Sequence, residues 1–72
     1  MESSKAVLKR FGANLRKERL KRDLSQEALA SRAKISRNFI GMVERGERNM
    51  TITKVDSVAQ AMGMNRWDLM RF

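Results

Sequence analysis

Apolar residues recur along this chain at helical spacing, interrupted by short polar stretches rather than by strand-like alternation. Leu8, Phe11 and Leu15 fall at i, i+3 and i+7, a single stripe that predicts a first helix from about Ser4 to Arg22. Ser25 can cap a second, short helix from Gln26 to about Ala33, because its hydroxyl can accept from the free amides of the next turn. That helix turns Leu29, Ala30 and Ala33 inward. Ser36 opens a third helix from Arg37 to Arg45, and Gly46 is a natural stop. Thr51 caps a fourth helix carrying Ile52, Val55, Val58, Ala59 and Met62, with Gly63 closing it. Asn65, with Asp68 three positions on, starts a last helix from Arg66 to Arg71. The chain has no proline, no Asn-Gly or Asp-Gly hairpin signal and no repeat, so the expectation is one all-α domain over residues 1–72.

Composition narrows what such a domain does. A chain of 72 residues has room for one modest core. It contains neither cysteine nor histidine, which removes disulfides, thiolate metal sites, the usual general base and the usual zinc ligand. No cofactor or metal is expected, and an enzyme is not. Sixteen Lys and Arg against eight Asp and Glu leave a net charge of +8, which favours a polyanionic partner. Much of it lies in the first helix, where Glu18 is the one acid between Lys5 and Arg22. No run reaches the roughly 20 apolar residues that span a bilayer. The Met1-Glu2-Ser3-Ser4 start is not followed by a signal-peptide core, so a cytoplasmic protein without a membrane role is expected.

The second and third helices carry the chemistry. Two short helices joined by a three- or four-residue turn cross steeply and need small residues at the contact. Ala30 supplies one, while Leu29, Ala33, Ile35, Ile40 and Val43 supply a shared core. Residues 25–45 therefore have the pattern of a helix-turn-helix, whose second helix enters the DNA major groove.

The chain resembles the Cro/repressor-type, XRE-like helix-turn-helix regulators over about residues 11–69. The resemblance rests on Phe11-Gly12, on Leu15 to Arg19, on Leu24 to Ala30, on Ile35-Ser36-Arg37, on Glu44-Arg45-Gly46 and on Ala59 to Met64. Within that family, Arg37 to Ile52 resembles restriction–modification controller proteins. The resemblance implies a compact five-helix, lambda-repressor-like DNA-binding domain that regulates transcription, by repression or activation, as a homodimer on a pseudo-palindromic operator. Two positions depart from the family pattern: Lys34 stands where many members have Gly at the turn, and Met50 where many have Pro.

A helical wheel turns Ile40 and Val43 inward and leaves Asn38, Met42 and Arg45 outward, with Arg37 and Phe39 on the flanks. The expected base-contacting set is Arg37, Asn38, Phe39 and Met42. Arg37 suits guanine O6 and N7, and Asn38 suits adenine or a phosphate. Phe39 either packs on a thymine methyl or closes against the second helix. Backbone contacts are expected from Ser25 and Gln26 at the positive end of the second helix, and from Arg45, Arg48, Asn49 and Thr51. Arg16 and Lys17 either add a contact or remain solvated. The resemblance further implies that Gln26 bonds phosphate and supports the recognition helix, that Arg19 and Glu44 form a structural ion pair, and that acidic residues such as Glu27 or Glu47 touch RNA polymerase.

The C-terminal segment, about residues 62–72, is the expected dimerisation surface: Met62, Met64, Trp67, Leu69, Met70 and Phe72 are more apolar surface than one short helix buries. The competing reading has Trp67 and Met70 closing the core. Two other functions fit parts of the sequence: an antitoxin that uses the same fold to hold a toxin as well as DNA, and a basic amphipathic membrane binder.

Overall fold

The computed structural model describes residues 2–72, in which five helices run α1 (Ser4–Lys21), α2 (Gln26–Ala33), α3 (Arg37–Glu44), α4 (Ile52–Ala61) and α5 (Arg66–Leu69). Each helix opens on a polar side chain that accepts from an amide of its first turn. Ser25 accepts from Ala28 at 2.9 Å, Ser36 from Phe39 at 3.1 Å, Thr51 from Lys54 at 3.3 Å and Asn65 from Asp68 at 2.9 Å. Ser3 does the same for Ala6. Such caps contribute about 1 kcal/mol each relative to alanine, so short helices are defined locally before they pack.

Three helices stop before the point their periodicity suggests. Arg22 is the cap of α1 rather than its last residue, because Asp23 turns left-handed at φ 54°. Arg45 likewise caps α3, ahead of Gly46 at φ 75°. α5 ends at Leu69, not Arg71, where the Arg71 amide donates back to the Asp68 carbonyl and tightens the turn. Lys34, in place of the family's glycine, adopts φ 58° and ψ 43°. The conformation costs of order 1 kcal/mol, offset by amide bonds from Lys34 to Ser31 and from Ile35 to Ala30 that close α2.

α2 packs on α3 and α4, α1 packs on α3, and α5 closes against α4 and α1. Leu15, Leu29, Ile40, Val43, Val58 and Leu69 are fully buried where these layers meet. Met50 is also in the core, so its apolar side chain fills space at the position where many family members carry proline. Gly12 allows α1 and α3 to touch backbone to backbone: a Cβ there would lie 2.2 Å from the Val43 carbonyl oxygen.

Polar and charged side chains of α1 also serve the packing, which the helix's excess of positive charge did not signal. Asn14, buried, donates to the Leu69 carbonyl at 2.8 Å and ties α1 to α5. Arg22 donates to the Met62 carbonyl at 2.7 Å, at the open end of α4, and to the Glu18 carboxylate. That hydrogen bond holds the Glu18 carboxyl below its usual range. Two residues expected at a dimer surface belong instead to the monomer's core: Met62 and Leu69 are buried, since α4 and α5 close on each other there.

Candidate nucleic-acid interface

The turn from Lys34 to Ser36 presents α3 with Arg37 and Asn38 exposed on its first turn and Met42 half-buried one turn on. A guanidinium at the positive end of a helix opposes the helix dipole, so Arg37 gains nothing there from its own fold. Phe39 does two things at once. One part of the ring packs on the core, and Lys54 and Arg48 lie over it, with Lys54 Nζ 4.5 Å and Arg48 Cζ 5.8 Å from the centroid. The ring thus gathers two cations beside the recognition helix. Lys54 was not singled out in the sequence; a cation two positions after Ile52 carries no local signal of its neighbour in α3.

The inner edge of α3 is held by a charged network. Arg19 Nε donates to Glu44 Oε2 at 2.7 Å and Nη2 donates to Oε1 at 3.1 Å, both residues being buried. Arg19 Nη1 also donates to the Leu24 carbonyl at 2.7 Å. Gln26 Nε2 donates to Glu44 Oε1 at 3.1 Å, so the start of α2 is bonded to the end of α3. No buried side-chain polar atom among the described residues lacks a partner. The network fixes the angle at which α3 is presented.

On the outer side, Arg45 and the Gln26 amide close over Gly41: a Cβ there would meet Arg45 Nη1 at 3.2 Å and the Gln26 amide at 3.6–3.8 Å. Arg45 is bonded to Glu47 through two nitrogens, at 2.9 and 3.2 Å. In the loop that follows, Arg48, Asn49 and Thr51 are exposed. Asn49 Oδ1 accepts from the Met50 amide, and the Ser25 and Thr51 hydroxyls act as caps. Arg16 and Lys17 are exposed on α1.

At the C-terminal segment Trp67 is 62% exposed and Met70 41%, whereas Met64 is half-buried. Phe72 sits edge-to-face on Phe11 at 5.6 Å with Arg10 over its ring. Neither Trp67 nor Met70 closes the core. Among the described residues no group of His, Cys, Asp or Glu could hold a metal ion, and no helix is long and apolar enough to cross a membrane.

A short helix with Arg37 and Asn38 exposed on its first turn, held by a buried ion pair and packed on a capped partner helix, has the arrangement of a helix-turn-helix DNA-binding domain. The helix-turn-helix family model matches residues 15–66, and the chain belongs to that family, as a DNA-binding transcriptional regulator. It is similar to the control protein C.BamHI of Bacillus amyloliquefaciens, 36% identical over 63 residues that cover 86% of this chain and 78% of that one. The control protein C.MunI of a Mycoplasma species is 33% identical over 61 residues, covering 83% and 82%. Among solved structures, the restriction–modification controller protein C.AhdI of Aeromonas hydrophila superposes with a TM-score of 0.85 at 37% identity, over 86% of this chain and 94% of that one.

Proposed function

We propose that this protein controls transcription of restriction–modification genes by binding a two-fold symmetric duplex site as a homodimer. The observation that carries this reading is the outer face of α3, where Arg37 and Asn38 stand exposed at the groove-facing end. The names of its controller relatives give the biological setting. Arg37 reads guanine through O6 and N7, Asn38 reads adenine or bonds phosphate, and Phe39 and Met42 supply apolar contact to thymine. The amide end of α2, with Ser25 and Gln26, and the exposed Arg48, Asn49 and Thr51 hold the phosphates that set the register. Replacing Arg37 with alanine is expected to cost about 1–3 kcal/mol on the preferred site and to relax discrimination at one base pair. Competition titrations against single-base variants measure this; equal loss on every sequence would reassign Arg37 to the backbone.

Dimerisation follows from the limited reach of one short helix. A two-fold pair reads half-sites about 34–36 Å apart, or multiples of that, on one face of the duplex. Exposed Trp67 and Met70, together with half-buried Met64, offer the apolar side chains for the pairing. Sedimentation across a concentration series is expected to show a monomer–dimer equilibrium that Trp67→Glu shifts to monomer. A wild-type protein that stays monomeric, with single half-site binding, would contradict the dimer. Glu27, exposed in the first turn of α2, and Glu47, exposed after α3, are the two acids proposed for contact with RNA polymerase.

A further inference from the structure

The bidentate pair between Arg45 and Glu47 needs explaining, because it places an acid against a cation on the outer side of the recognition helix. The backbone builds it. Gly46 turns left-handed at φ 75°, the Gly46 amide donates to Val43 and the Glu47 amide to Met42, the arrangement that ends a helix on a left-handed residue. This closure brings positions 45 and 47 side by side. It is packed against α1, since a Cβ on Gly46 would lie 2.7 Å from Lys9 Cγ and 2.9 Å from Lys9 Cα. The side chains themselves are open to solvent, 56% for Arg45 and 54% for Glu47.

Two features bear on DNA. The Arg45 guanidinium lies beside the Gln26 amide, over Gly41 at the outer junction of α2 and α3. Its Nε and Nη2 meet two carboxylate oxygens at 2.9 and 3.2 Å, the same two-oxygen geometry that a phosphate offers arginine. The guanidinium in turn holds the Glu47 carboxyl below its usual range through their hydrogen bond.

We propose that Glu47 is an internal stand-in for DNA phosphate, occupying Arg45 in the free protein and yielding it only when a duplex arrives. This rests on the reading of α3 as the DNA-facing helix. Binding exchanges one anion for another at Arg45, so this contact yields less than a free arginine would. The exchange acts on a backbone contact. It therefore lowers affinity for every sequence alike and leaves the choice of bases to the start of α3.

The test is a double-mutant cycle on DNA binding by fluorescence anisotropy, using a duplex selected from a random pool and a scrambled duplex. Because an exposed ion pair contributes weakly, Glu47→Gln is expected to tighten both duplexes by roughly 1.4- to fivefold at low salt, about 0.2–1 kcal/mol. The ratio between the duplexes should not move. In an Arg45→Gln background the same change at 47 should give no gain. An unchanged or lower affinity for the Glu47→Gln protein would overturn the proposal, the latter by making Glu47 a support for Arg45. A gain that survives in the Arg45→Gln background would also overturn it, because Glu47 would then act through general repulsion. If wild-type protein binds no duplex, the regulator reading fails and this inference with it.

Discussion

Replacing Glu44 with alanine should unfold much of the protein at temperatures where the wild type is intact. Arg19 would keep its burial and its bond to the Leu24 carbonyl but lose both contacts to carboxylate oxygen. Gln26 Nε2 would lose its acceptor at the same time. Leaving one member of a buried ion pair without the other costs about 3–5 kcal/mol. A domain of 72 residues has a total stability of roughly 4–11 kcal/mol at 0.05–0.15 kcal/mol per residue. The loss therefore takes a large share of it, and a thermal melt without DNA should move down by at least about 12 °C at 4–8 °C per kcal/mol. An unchanged melt would contradict the structural role given to the pair. Replacing both partners by apolar residues, Arg19→Met with Glu44→Leu, is expected to recover most of the stability, because no uncompensated charge is then buried. The fold would survive, while the bond from Gln26 that sets α2 against α3 would not.

Gly12→Ala is expected to be almost as damaging, although it adds a single methyl group. The added carbon would lie 2.2 Å from the Val43 carbonyl oxygen and 2.7 Å from that of Glu44. Both are backbone atoms, so no side chain can rotate away, and α1 must separate from α3. Overpacking of this kind costs about 1–3 kcal/mol and occasionally more; with backbone on the opposing side the expected loss is at the upper end, about 3 kcal/mol. The shift would also strain the Arg19–Glu44 bonds, which span the same two helices. Denaturant unfolding measures it, and Gly63→Ala is a useful contrast. That position has φ 72° but no atom near a new Cβ, so its cost is conformational alone and smaller. Equal losses for the two variants would mean that the close crossing at Gly12 is not what that glycine serves.

Those two positions mark the border of what was legible in the chain. Helix starts were readable because caps are local: Ser25, Ser36, Thr51 and Asn65 each bond within three residues. The inward set of α3 was readable because Ile40 and Val43 obey one period. Gly12 was visible only as part of a resemblance, since nothing near it shows that a second helix arrives within a methyl's width. Asn14 and Arg22 were hidden for the same reason, their partners lying 55 and 40 residues away. Helix ends were less readable than starts: the left-handed turn at Asp23 has no glycine to announce it. Met62 and Leu69 show the remaining difficulty. A run of large apolar residues near the end of a small domain does not say which face is needed for its own core, and here α4 and α5 take those two inward while Trp67 and Met70 stay out.

At the candidate interface, composition and spacing pointed to α3 and its outward residues, but not to how they are engaged. The pairing of Arg45 with Glu47 depends on a left-handed glycine closing the helix, and the gathering of Lys54 and Arg48 over Phe39 depends on where the loop after α3 and the start of α4 fall relative to that ring. Both contacts alter the chemistry of cations that sequence alone presents as unattached positive charge.

The central claim, that this domain reads a symmetric DNA site with the first turn of α3, is tested most directly by selecting bound duplexes from a random pool with wild-type and Arg37→Ala protein side by side. The wild type should recover inverted half-sites whose centres lie one helical turn or a multiple apart, with affinity falling steeply as salt rises. Arg37→Ala should recover the same spacing with one base pair in each half-site relaxed. Pools that stay unenriched, or wild-type sites without two-fold symmetry, would contradict the account.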